Sequence, residues 1–288
     1  MSDSTETLVL DRPTSASRRA GRRAGRSVLR LLSWSWLLIA LLVVWEWRFR
    51  ASPSLFVPPV SDIFSTMHSE FFSGSASELF TTEELRSHMS ASMSRAGRAW
   101  LIAVAIGITA GVLLGTSKIV REFGYPMVRF GMSIPSTALL PVALTLFGIT
   151  DDMNVFLIVF GSVWVILINT MDGVRDLDET AVLTARSLHL SRRRTFFQVL
   201  LPGASPQIMT GLRVSIGIAL ILMVVSELFV ASEGIGFYIV VNQRLFVFDN
   251  VWAGVFLLGL VGIVANGLFA LIESRVLRWH IMAREHQD

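Results

Sequence analysis

The chain has 288 residues, of which 52% are hydrophobic, with no cysteine and a formal net charge of +3; its mean hydropathy is +0.60. That apolar content exceeds what a soluble domain of this length carries, so the chain belongs in a bilayer. The missing Cys excludes a disulfide framework, a thiolate nucleophile and a Cys-ligated metal, and the basic residues flank apolar runs instead of forming an aromatic-interleaved patch, which argues against nucleic acid as a partner.

Residues 1–27 form a polar, basic tail in which Arg18, Arg19, Arg22, Arg23 and Arg26 precede the first apolar run. A twin-arginine export signal is one reading. The other is a retained anchor, favoured because no small-residue cleavage site follows and the run exceeds the apolar core of a signal peptide. Residues 28–47 read as the first transmembrane helix, with Trp34, Trp36, Trp45 and Trp47 near its ends. Residues 48–96 form an extracytoplasmic amphipathic segment, closing on Thr81 as a cap before Glu83 and Glu84.

The membrane core is expected over residues 97–272. The second span, 97–116, stacks Gly107, Gly111 and Gly115 on one face, which admits a neighbouring helix closely, either in the same chain or in a second copy. Lys118 and Arg121 mark a short loop before the third span, 124–147, which Pro126, Pro135 and Pro141 interrupt with Ser133, Ser136 and Thr137 beside the breaks. Broken helices at membrane depth occur where protein or a water-filled cavity covers the freed backbone. This span is therefore a pore-lining candidate, with a plain proline kink as the alternative. Asp151-Asp152 turns into the fourth span, 153–170, which carries Asn169.

Residues 172–203 are a charged island. Leu177, Ala181, Thr184, Ala185 and Leu188 recur at helical spacing. His189-Leu190-Ser191 breaks that helix, and Ser191 is placed to cap a second one that opens on Arg192, Arg193 and Arg194 and is stopped by Pro202 and Pro206. The fifth span, 208–230, holds Arg213 and Glu227. A carboxylate in a span is costly against lipid, so Glu227 is expected to face a cavity or a neighbour. Residues 234–250 read as an external loop or re-entrant turn, 251–272 as the sixth span, and 273–288 as a cytoplasmic tail.

With the N-terminus inside, and leaving out Arg129 and Arg213 within spans, 17 Lys and Arg fall on the cytoplasmic side and 6 outside, so both termini and the island are expected in the cytoplasm. No G-x-x-x-x-G-K-[ST] occurs; Gly115-Thr116-Ser117-Lys118 lacks the glycine before the lysine. The five His are scattered without ligand spacing and no catalytic set shares a scaffold, so neither a metal site nor an enzyme activity is expected.

The island resembles the cytoplasmic E-A-A loop of ABC-importer permease subunits, written E-A-A, three residues, G, nine residues, I-x-L-P. Leu183-Thr184-Ala185 stands at the E-A-A, His189 at the G, and Val199-Leu200-Leu201-Pro202 at the I-x-L-P. The chain departs at Leu183, where the acid is missing, and at His189, which takes a turn position usually held by glycine but accessible to His. Pro202-Gly203-Ala204-Ser205-Pro206, Gly211-Leu212-Arg213, Glu227-Leu228 and Gly234-Ile235-Gly236-Phe237 are similar in order and spacing to the nitrate, sulfonate and taurine branch.

The resemblance implies an all-α integral membrane protein of six transmembrane helices, with a cytoplasmic helix-turn-helix coupling loop between spans 4 and 5, in a prokaryotic plasma membrane. It implies cytoplasmic ATPase subunits as partners, docking at Thr184, Ala185, Ser187, Leu188, His189, Leu190 and Pro202, and an extracytoplasmic solute-binding protein. A second permease copy is expected beside it. ATP would be bound by the partner, and this chain needs no cofactor. Ser133, Ser136, Thr137, Asn169 and Glu227 are the candidates for the translocation path. Two other classes stay open. A self-sufficient secondary transporter would carry several embedded ionisable groups and an inverted repeat; a non-transporting scaffold would leave the island's spacing without a role.

Overall fold

The computed structural model describes residues 36–75, 80–177, 183–185 and 187–278, and within them there is helix and turn but no strand. Residues 1–35, 76–79, 178–182, Arg186 and 279–288 lie outside the description, and with them the whole N-terminal tail, the start of the first expected span and most of the C-terminal tail. Two compact units divide at Asp62 and Ile63.

The first unit holds helix α1, residues 36–51, whose apolar side chains from Trp36 to Trp47 are largely exposed. After it, Trp45 Nε1 donates to Pro58 O at 3.0 Å, and Glu46 accepts from Arg50 and from the Ser61 amide at 3.0 Å. The second unit begins within α2 (Val60–Phe71) and continues with α3 (Glu83–Thr116). Thr82, not Thr81, caps α3: its Oγ1 accepts from the Leu85 amide and donates to Glu70 O. The expected second span is thus the C-terminal part of one helix of 34 residues, about 51 Å long.

Ser117 alone separates α3 from α4 (Lys118–Ser133), and its side chain caps α4 by accepting from the Val120 amide. The loop expected at Lys118 and Arg121 is therefore already helix. Two residues, Ile134 and Pro135, then separate α4 from a 3₁₀ turn, Ser136–Leu139, that leads into α5 (Leu140–Phe147). The path bends there by 83°. Pro135 cannot continue the α-helical ladder, whereas Pro141 sits in the first turn of α5, where its missing donor costs nothing.

Helix α6 (Asp151–Arg175) packs between α3 and α7 (Arg192–Val230). The glycine stripe explains the first contact. A Cβ at Gly107 would meet Ile166 at 2.8 Å, one at Gly111 would meet Leu167 O at 2.6 Å, and one at Gly115 would meet Val174 at 2.7 Å. Of the two readings of that stripe, the structure has the close approach within this chain.

Pro202 and Pro206 do not end the island's second helix, which runs on unbroken into the fifth span as α7. One π turn, Phe196–Leu200, absorbs the first proline: the Leu201 amide donates five residues back to Phe196 O just before Pro202, which has no amide to give. The second is offset by a side chain. Pro206 would have donated to Pro202 O, and Ser205 Oγ donates to that carbonyl instead, at 2.7 Å.

Helix α8 (Ile235–Arg244) occupies much of the expected external loop, and α9 (Phe248–Val276) closes the described fold. Phe71, Leu85, Ile235, Tyr238 and Leu257 share one apolar cluster that ties α2, α3, α8 and α9 together. Among the described residues four helices, α3, α6, α7 and α9, are long and apolar enough to cross a membrane, and the bent α4–α5 pair makes a fifth. The first expected span, residues 28–47, falls partly outside the described residues.

Candidate functional site

Ser92 and Arg95 stand one turn apart on α3, on the face that meets the ends of α6 and α7. Glu227, in the last turn of α7, is 1% exposed. A carboxylate so far from water needs every lone pair addressed and its charge matched. Arg95 Nη1 donates to Glu227 Oε1 at 3.0 Å, the Gly236 amide to Oε2 at 2.9 Å, and the Ser92 hydroxyl is shared between the two oxygens. Ser92 Oγ in turn accepts from the Ile235 amide at 2.9 Å. These two amides open α8, so the partial positive charge of that helix terminus faces the carboxylate.

Gly234 makes the approach possible. Its φ of +125° lies where side-chain-bearing residues rarely go, and a Cβ there would run into the Glu227 carboxylate. Arg95 is the hub of the cluster. Besides Glu227 it reaches Glu233 O at 2.6 Å and, through Nε, Asp151 Oδ1 at 2.6 Å; Asp151 also receives Arg98 at 3.3 Å. The cluster ties α3, the first turn of α6, the last turn of α7 and the start of α8 at one end of the bundle. Its chemistry is that of an electrostatic tether.

The opposite end carries the island. Residues 183–185 are helical, and the Leu188 amide donates to Thr184 O while the Leu190 amide donates to Ala185 O at 3.1 Å. With His189 at φ 51°, this is the six-to-one bond of a helix ending through a left-handed residue. Ser191 then caps α7 by accepting from the Arg194 amide. Ala185 is 2% exposed, buried within this chain, whereas Leu188 is 67% exposed, and Thr184, Ser187 and His189 are exposed beside it. Leu190 is half-buried, and Pro202 lies inside α7.

The expected path residues are not brought together. Ser133 and Thr137 are exposed at the α4–α5 bend, and Ser136 lies against Gly161 near the middle of α6. Asn169 is half-buried on α6, where its Oδ1 accepts from Gln207. About 27 Å of helix separates it from Asp151, and so from the cluster that contains Glu227. Sequence reasoning identified Glu227 but missed Ser92, Arg95 and Asp151. The available signal was topological: in the expected arrangement the second span begins, and the fifth span ends, on the same side of the membrane, which places an Arg and a Glu at one depth.

The family described as binding-protein-dependent transport system inner membrane component matches residues 103–278. The chain is 29% identical to the nitrate import permease protein NrtB of Leptolyngbya laminosa, over 91% of this chain and 94% of that one. It is 28% identical to the taurine transport system permease protein TauC of Escherichia coli strain K12, over 87% and 94%. Among solved structures, a chain of the inward-facing MetNI methionine ABC transporter superposes with a TM-score of 0.56 at 15% identity, covering 67% of this chain and 94% of that one. The chain belongs to the binding-protein-dependent transport system inner membrane components, the permeases of ABC importers, with its relatives in the nitrate, sulfonate and taurine branch.

Proposed function

We propose that this chain forms the solute path of an importer for small anions of the nitrate or sulfonate kind, and that a separate cytoplasmic ATPase drives it through residues 183–202. Six spans place both termini in the cytoplasm, a second copy completes the path, and an extracytoplasmic binding protein delivers the solute. The observation that carries this reading is the helix end at His189 followed by the Ser191 cap, which holds exposed Ser187, Leu188 and His189 at the junction of α6 and α7. A force on that junction acts directly on α7, because no break separates Ser191 from Val230. Nucleotide-driven closure of the ATPases would then select which side of the path is open.

Leu188 is the residue to test. Helix-in-groove docking uses apolar anchors, and a charge buried there without a partner costs about 3–5 kcal/mol. Leu188→Glu should abolish co-purification of the ATPase at unchanged membrane abundance. Full ATPase recovery and full uptake with Leu188→Glu would exclude this segment as the coupling element. Ala185 is unsuitable for the same test, because its burial inside the chain makes Ala185→Glu a perturbation of the loop itself.

A further inference from the structure

We propose that the groove between the last turns of α3 and the first turns of α7 is a binding site for an anionic phospholipid of the cytoplasmic leaflet. The groove encloses about 1190 Å³. Val112 and Leu113 line it from α3, Phe196 and Leu200 line it from α7, and Arg192 stands where the two helices end. No acidic residue lines it among the described residues, and Arg192 forms no ion pair with any of them.

Three features converge on a lipid. First, the walls along the helix axes are mainly apolar, with Thr109, Thr116 and Thr195 as their uncharged polar residues, and the cation Arg192 is confined to one end, which is the charge pattern of an acyl chain below an anionic head group. Second, one wall is the π turn Phe196–Leu200, a local widening of the helix of the sort that recurs at functional sites. Third, the orientation proposed above puts Arg192 at the cytoplasmic surface, whose leaflet is negatively charged, and basic pockets between spans on that side hold anionic head groups. Leu190 also lines the groove, so the occupant would touch the segment proposed to meet the ATPase.

The test uses the full-length chain in nanodiscs of equimolar phosphatidylglycerol and phosphatidylcholine, with retained lipid counted by native mass spectrometry. Wild type should retain phosphatidylglycerol over phosphatidylcholine by about fivefold, the preference conferred by one cation at the surface. Arg192→Gln should retain lipid but lose the preference. Val112→Trp fills the groove and should lose the bound lipid altogether. Arg193→Gln, which changes an exposed residue outside the groove, should keep the wild-type preference. Equal retention of both lipids by wild type would overturn the proposal. So would an equal effect of Arg193→Gln and Arg192→Gln, or a photo-crosslinker at Val112 that captures a peptide of this chain in place of phosphatidylglycerol.

Discussion

Replacing Arg95 with Met removes the one cation among the described residues that pairs with Glu227. The carboxylate is 1% exposed and keeps only its bonds from Ser92 and the Gly236 amide. Breaking a buried pair from one side costs about 3–5 kcal/mol. The Asp151 arm adds less than about 1 kcal/mol, because its partly exposed carboxylate retains Arg98. Losing the bond to Glu233 O adds about 1 kcal/mol more. Introducing Glu227→Gln into the same chain neutralises the orphaned charge and should recover most of the first cost, leaving the double variant more stable than Arg95→Met alone. The assay is a double-mutant cycle by denaturant unfolding of the full chain in detergent, followed by tryptophan fluorescence. A cost below about 1 kcal/mol for Arg95→Met would refute the reasoning, as would a double variant no more stable than the single one.

Gly111→Val should destabilise the chain by about 1–3 kcal/mol through overpacking at the α3–α6 contact, measured by the same unfolding assay, with Gly97→Val as the control because nothing lies near Gly97. Tyr238→Phe should be neutral or stabilising by about 1 kcal/mol, since the buried Tyr238 hydroxyl lacks a partner among the described residues. Burial also pushes the Tyr238 phenol above its usual range, so the phenolate form contributes nothing to this comparison at neutral pH. In this cysteine-free chain, single cysteines at Asp152 and Arg193 should label from outside and inside the cell respectively, and the reverse pattern would invert the proposed orientation.

What the sequence revealed was whatever depends on local chemistry. The left-handed end at His189, the Ser191 cap, the glycine stripe of α3 and the proline break near Ser133 are each set by a few adjacent residues, and each appears in the fold. The cluster around Glu227 was not readable because its partner stands 132 positions away, and Arg95 alone looks like one more charge flanking a span. The unbroken course of α7 was missed for a different reason. Proline is a helix breaker by default, and only three-dimensional detail shows the π turn at Phe196–Leu200 and the Ser205 hydroxyl replacing what Pro202 and Pro206 cannot give. Burial of Ala185 depends on packing that helical periodicity does not encode, since the same spacing serves an anchor facing a partner and one facing the chain's own core.

Uptake by proteoliposomes tests the central claim most directly. The chain would be reconstituted with its ATPase, with radiolabelled nitrate or taurine and the matching binding protein outside, and ATP inside. The account predicts uptake that requires all three proteins and ATP, and that Leu188→Glu abolishes. Uptake by this chain alone, driven by an ion gradient without ATPase or ATP, would contradict it and identify a secondary transporter instead.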